Sequence, residues 1–213
     1  MNKKIFIGVG HGGKDPGAVG NGMQESYVNL TISLVLRDIL ESRGFKVRLS
    51  RVTDEDDRLS EEIAECNAFK PDIAVEVHTN AGEGRGFEIY VPKNCSESKR
   101  LAEMIAECVE ALGRKNRGIK HNPRFGWTNQ VKSPCVLCEG FFIDGDEGEE
   151  MQDVDKQRAL ASAYAEGIFR YFGMRSPEDN RKLVQEKYGF TDFTMDYLDA
   201  YKYSDELFER LLR

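Results

Sequence analysis

The sequence predicts an α/β fold: a three-layer α/β/α sandwich around a mostly parallel twisted sheet, with a short all-helical C-terminal tail. Two observations carry that expectation. Strand-like runs alternate with helical stretches of roughly 10–20 residues, the signature of strands joined by crossover helices. After residue 173 the strand-like runs stop and capped helical segments take over. The chain is therefore divided into a main domain, 1–173, and an aromatic-rich appendage, 174–213.

The elements follow in order. Lys4–Gly10 is an apolar, β-branched run, and a Gly-rich turn occupies His11–Gly22. Residues 25–43 carry Val28, Leu30, Ile32, Leu34, Val35, Leu36, Ile39 and Leu40, read as a helical face, with Gly44 placed to end it. Residues 46–51 alternate like a strand, 58–69 form a helix that stops before Pro71, and 72–79 and 86–91 are strands. A helix over 98–112 ends at Gly113, a strand covers 131–142, and a last long helix covers 149–172. In the appendage, Ser176-Pro177 reads as a cap plus first helical residue, and Thr191 and Ser204 as caps of two further helices. This segment holds seven aromatic residues but is too short to be expected to build its own core, so docking, oligomerisation or wall binding is left to its rings.

Composition narrows the function classes. The 213 residues hold 30 Lys+Arg against 37 Asp+Glu, a net charge of −7, which argues against nucleic acid or an anionic membrane as partner. No apolar run approaches the roughly 18 residues a spanning helix needs. The N-terminal apolar run is shorter than a signal-peptide core of roughly 7–15 residues, so synthesis without a classical export signal is expected. The five cysteines follow no disulfide spacing. Cys135 and Cys138 lie an odd number apart on a strand, hence on opposite faces, and are read as free thiols.

With only three histidines, each one is informative. His11 follows the first strand, His78 closes another, and Glu25 opens the first long helix, so all three reach the carboxyl edge of the sheet, where ligands gather in such folds. Two imidazoles and one carboxylate suit a catalytic zinc with a fourth position left to water. Taken singly they also read as a turn histidine, a carboxylate complementing a helix dipole and a satisfied strand-end histidine. Glu139, a carboxylate at the end of an apolar strand, would be a general base beside such a metal, or simply a solvated strand end. His121, in the loop with Phe125 and Trp127, reads as a surface histidine or a substrate contact. The two rings either line a groove or fold the loop.

Taken together these residues resemble the zinc-dependent N-acetylmuramoyl-L-alanine amidases of the amidase 3 family, over about residues 3–172. The resemblance rests on His-Gly-Gly-x-Asp-x-Gly at His11–Gly17, then in order Glu25, Ser50-Arg51, Asn67, His78-Thr-Asn80, Gly86-Phe-Glu88, Arg117-Gly-Ile-Lys120 and Glu139. It implies one Zn2+ per chain on His11, Glu25 and His78, with Glu139 as the catalytic carboxylate. It implies cleavage of the amide between N-acetylmuramic acid and L-alanine in peptidoglycan. Arg117–Lys120 looks like the family's substrate-side loop, and Asn80, Glu88, Glu76 and Lys120 are candidates for orienting ligands or substrate. Glu76 stands where the family usually has serine, Glu62 where it often has arginine. The segment after Glu139 is closer to clostridial and phage-lysin amidases than to exported cell-division enzymes. A phage or prophage endolysin released from the cytoplasm by a holin fits these features, as do a host autolysin and a sporulation enzyme. A zinc peptidase cutting within the stem peptide is the first alternative, and a non-catalytic wall-binding or regulatory protein the second. Partners are expected to be peptidoglycan and a second copy of the chain through the tail.

Overall fold

The computed structural model describes residues 3–175, 177–201 and 203–212. The chain divides into two compact units, Met1–Ile168 and Phe169–Arg213. This division falls inside the last long helix of the first unit's fold rather than after it.

The first unit is built on a six-stranded sheet in the order β4-β1-β5-β8-β6-β7. Its strands are β1 (Lys4–Val9), β4 (Lys46–Leu49), β5 (Ile73–Asn80), β6 (Phe87–Tyr90), β7 (Asn116–Lys120) and β8 (Cys135–Phe142). β4, β1, β5 and β8 are mutually parallel; β6 runs antiparallel to β8, with β7 parallel to β6. A small hairpin, β2 (Val19–Gly20) with β3 (Met23–Gln24), sits within the Gly-rich turn. The helices are α1 (Glu25–Ser42), α2 (Leu59–Phe69), α3 (Ser96–Glu110), α4 (Gly126–Gln130), α5 (Asp146–Glu150) and α6 (Val154–Tyr171). Among the described residues no helix is long and apolar enough to cross a membrane.

The strand pleat sorts the side chains. On one face Phe6, Ala74, Cys135 and Leu137 pack with Ile63 and Cys66 of α2 and with Trp127 of α4. On the other, Gly140 lies under Tyr164 and Leu160 of α6. Cys135 and Cys138 fall on opposite faces, and all five cysteines are free. Helix ends follow local chemistry. Gly44, at φ +82°, closes α1 by donating to Glu41 O, and Lys70 adopts a left-handed conformation that ends α2 ahead of Pro71.

Several expectations are corrected. Arg117–Lys120 is not a loop but most of the edge strand β7, whose charged sequence hides any alternation. Trp127 is a core residue first: only 1% exposed, it donates its indole N–H to Val136 O, and it reaches the site cavity only as part of its wall. Strand β8 begins at Cys135 rather than 131 and continues past Glu139 to Phe142, so Glu139 lies within the strand. The long helix begins at Val154, after the separate short α5.

The second unit contains α7 (Pro177–Tyr188), α8 (Asp192–Asp199) and α9 (Ser204–Leu211). Contrary to expectation it has its own core, in which Val184, Met195 and Phe208 are buried with Phe190, Leu198, Leu211 and Leu212 around them. Thr191 caps α8 by accepting from Thr194 N–H; Ser204 is the first residue of α9 rather than its cap, which is Tyr203. The expected cap at Ser176 lies outside the described residues. Phe193 and Tyr197 are 83% and 76% exposed, with Tyr188, Tyr201 and Tyr203 about half exposed.

Candidate metal centre

The first strand ends at Val9 and delivers His11 in a left-handed conformation (φ +62°), which costs a non-glycine residue about 1 kcal/mol or more. The turn that holds it is tied by a bridge between Gly12 and Asp15 and by the Asp15 carboxylate, 2.9 Å from His11 Nδ1. Arg51 anchors the same turn from beneath. Buried to 2% exposure, its guanidinium donates to the carbonyls of Val9, Gly10, Ser26 and Thr53. It thus joins the first strand, the turn and the first turn of α1 in one fork.

Glu25, the first residue of α1, is buried, with Oε1 2.9 Å from His78 Nδ1 and Oε2 3.3 Å from His11 Nε2. Backbone N–H groups of Ala18 and Thr79 and the Asn29 amide also donate to its carboxylate. The two imidazoles meet edge to face at 4.9 Å between centroids. One ligand atom from each of His11, Glu25 and His78 lies within 4.8 Å of the others. A tetrahedral zinc with bonds near 2.1 Å spaces its ligand atoms about 3.4 Å apart, so this N,N,O set fits the ion after small adjustment. Gly17 makes room for it: at φ +64°, a Cβ there would lie 2.7 Å from both Glu25 Oε2 and the His11 ring.

The electrostatics fit the same purpose. Burial alone would raise the Glu25 carboxyl, but hydrogen bonds from both imidazoles outweigh it and hold the group far below the usual carboxylate range. The hydrogen bond to Glu25 raises His11, against its own burial. Burial works to lower His78, yet its bonds to Glu25 and Glu76 leave it well above an ordinary histidine.

His78 is the register partner of Glu139 on the neighbouring strand β8. Both line a cavity of about 400 Å³ with His11, Glu25, Glu76, Asn80, Arg124 and Phe125. Burial pushes the Glu139 carboxyl up to about 7, opposed by His78 and assisted by the charges of Glu25 and Glu88, and its Oε2 is buried without a partner. That is a carboxylate poised to exchange a proton near neutral pH.

The structure separates the remaining candidates. Glu76 faces His78, with Oε1 3.3 Å from Nε2. Asn80 lines the cavity and accepts from the backbone N–H of Ala81. Glu88, opposite Glu139 in the β6–β8 register, is enclosed by Arg117, Lys120 and the Tyr90 hydroxyl, so Lys120 is committed to an ion pair. Asn67 bridges Gln130 O and Lys132 N–H outside the cavity. His121 is exposed and rests on Val91 O. The orienting roles of Asp15, Asn29 and Arg51 escape a reading by residue type. The usable signals are Asp15 four residues after His11, and Asn29 one helical turn after Glu25.

Comparison with known proteins gives a consistent result. The family model described as N-acetylmuramoyl-L-alanine amidase matches residues 5–170. The sporulation-specific N-acetylmuramoyl-L-alanine amidase of Bacillus subtilis is 33% identical over 177 residues, covering 81% of this chain and 69% of that protein. The endolysin of Bacillus phage SPP1 is 35% identical over 185 residues, covering 82% and 68%. Among solved structures, the N-acetylmuramoyl-L-alanine amidase AmiC2 of Nostoc punctiforme superposes with a TM-score of 0.75 at 28% identity, covering 80% of this chain and 97% of that one.

Proposed function

The chain belongs to the amidase 3 family of N-acetylmuramoyl-L-alanine amidases, and from that premise we propose a zinc-dependent peptidoglycan hydrolase that cuts the amide between the lactyl group of N-acetylmuramic acid and L-alanine. The observation that carries the zinc requirement is the convergence of His11, Glu25 and His78 beside a carboxyl, Glu139, whose pKa sits near neutrality.

His11, Glu25 and His78 would hold the zinc ion, which would supply Lewis-acid chemistry at the scissile carbonyl and bring the pKa of water towards about 7. Glu139 takes the proton of the attacking water at its unpartnered Oε2 and returns it to the nitrogen of the leaving L-alanine. The acyl carbon keeps the water oxygen, and the products are a free lactyl carboxylate and a free amino terminus. Asp15 and Arg51 hold the His11 turn, while Arg124 and Phe125 on the cavity wall are placed to meet the peptide or sugar on either side of the cut bond.

For residues 174–213 the exposed rings of Phe193 and Tyr197 support contact with something outside the chain, either glycan strands or a second copy. With seven basic against nine acidic residues, this segment is no polycation that grips anionic wall polymers by charge. Removing it should weaken sedimentation with purified walls while leaving cleavage of a soluble muropeptide intact; equal wall binding by the truncated chain would rule out an anchor.

The product assay on purified peptidoglycan tests the activity. New L-alanine amino termini are expected, abolished by chelator and restored by zinc. New amino termini of other stem residues would instead establish a peptidase, and no release of any product a non-catalytic protein.

A further inference from the structure

Strands β1 and β5 lie side by side with Gly8 opposite Glu76, and the backbone N–H of Gly10 donates to Val77 O. Pleating puts positions 8 and 10 of one strand on the same sheet face as 76 and 78 of the other. Both positions, Gly8 in β1 and Gly10 just after it, are bare. A Cβ on Gly8 would overlap Glu76 Oε2, and one on Gly10 would run into the His78 ring, 2.5 Å from Nε2. The two glycines thus form a trough in which the Glu76 and His78 side chains lie.

Within that trough the two nitrogens of His78 have different partners. Nδ1 points to Glu25 Oε1 at 2.9 Å, towards the ligand cluster, and Nε2 points away from it, to Glu76 Oε1 at 3.3 Å. Glu76 is 1% exposed, so its carboxylate is largely withdrawn from bulk water. We propose that Glu76 is a positioning residue for the metal: it accepts the Nε2–H of His78, fixes the ring's tautomer and rotation, and leaves Nδ1 bare to bind zinc. A carboxylate on the far nitrogen of a ligating imidazole makes that imidazole a stronger donor.

Two features support the assignment. His11 is held in the same way by Asp15, but through the opposite nitrogen: Asp15 takes Nδ1 and leaves Nε2 facing Glu25. Each imidazole therefore has one carboxylate orienter outside the ligand set. Behind Glu76 lies Glu62 of α2, whose carboxyl is driven well above its usual range by burial and by the Glu76 charge. Glu76 Oε2 and Glu62 Oε1 both lie against the bare Cβ position of Gly8, so the two acids form one local arrangement.

The inference rests on the zinc reading above, and zinc affinity tests it without reference to turnover. Competition with a chromogenic chelator, using the full-length protein, should show E76A binding zinc about 10–100-fold more weakly than wild type. E76Q, whose amide oxygen can still accept from Nε2–H, should lose only several-fold. Long-range 1H–15N correlations of the zinc-loaded wild type should show His78 protonated at Nε2. Zinc affinity within about twofold of wild type in both variants, or a His78 protonated at Nδ1, would overturn the proposal while leaving the metal site intact. If E76A does not fold, E76Q and the tautomer decide. A wild-type protein with no measurable zinc affinity would instead end the metal reading itself.

Discussion

Replacing Glu139 by glutamine should make the metal-free protein more stable and the enzyme nearly inert. The carboxyl is displaced from 4.5 to about 7, chiefly by burial. At about 1.36 kcal/mol per pKa unit, ionising it in the folded state costs about 3 kcal/mol. The side chain keeps some solvent contact, and a buried glutamine amide has its own unmet donor, which together reduce the expected gain to about 2 kcal/mol. A chain of this size shifts its Tm by about 2–4 °C per kcal/mol, so E139Q should melt about 4–8 °C above wild type in EDTA at pH 8. The folded state binds this proton more tightly than the unfolded one. Wild-type stability from this group is therefore complete below pH 4.5 and lost as pH rises towards 7. The gap between the two proteins should accordingly close as the melts are repeated towards pH 5. With zinc restored, E139Q should bind near one equivalent while turnover on peptidoglycan falls about a hundredfold or more. A variant no more stable than wild type at pH 8 would contradict the desolvated environment assigned to Glu139. Normal turnover would remove it from the mechanism.

Other consequences follow from the same geometry. Gly17→Ala forces a Cβ against His11 and Glu25 at a left-handed position, so zinc binding should be lost by calorimetry; wild-type affinity would show that the cradle is not needed. Arg51→Met removes the guanidinium's bonds to four carbonyls, of which Gly10 O keeps the Asn29 amide as donor, and should cost about 3 kcal/mol, read as a Tm drop of about 6–12 °C. A drop under about 2 °C would demote Arg51 to a passive contact. Both histidines hold their protons above pH 6.5 in the metal-free protein, so zinc must displace protons and its apparent Kd should rise steeply, by up to about a hundredfold per pH unit, as the medium is acidified. By the same linkage the imidazoles stabilise the metal-free fold fully below about pH 6.5 and lose that contribution as pH rises through their raised values. A pH-independent zinc Kd would refute this protonation scheme.

The α/β class, most element positions and the convergence of His11, Glu25 and His78 were legible from the residues, because each depends on local pattern. Short continuous apolar runs mark β1 and β5, a 3.6-residue period marks α1, and a histidine just past or near the end of a parallel strand must reach the carboxyl edge of the sheet. Resemblance to a known family added the activity. What escaped is what local pattern does not encode. Strand β7 is short and charged, so nothing in Asn116–Lys120 distinguishes an edge strand from a loop. Trp127 reads equally well as groove or core until α4 is seated over Phe6 and α2. Burial of Glu139, and hence its pKa near 7, depends on what covers it, and the fork of Arg51 depends on carbonyls from three separate stretches of chain. The placement of Glu76 needed most from the tertiary fold. Its spacing from His78 puts the two on one strand face, but only the pairing of β5 with β1, 68 positions away from Gly8 to Glu76, sets both in a glycine-lined trough. Periodicity and residue type decided which side chains could do chemistry; long-range strand register decided which atoms face one another.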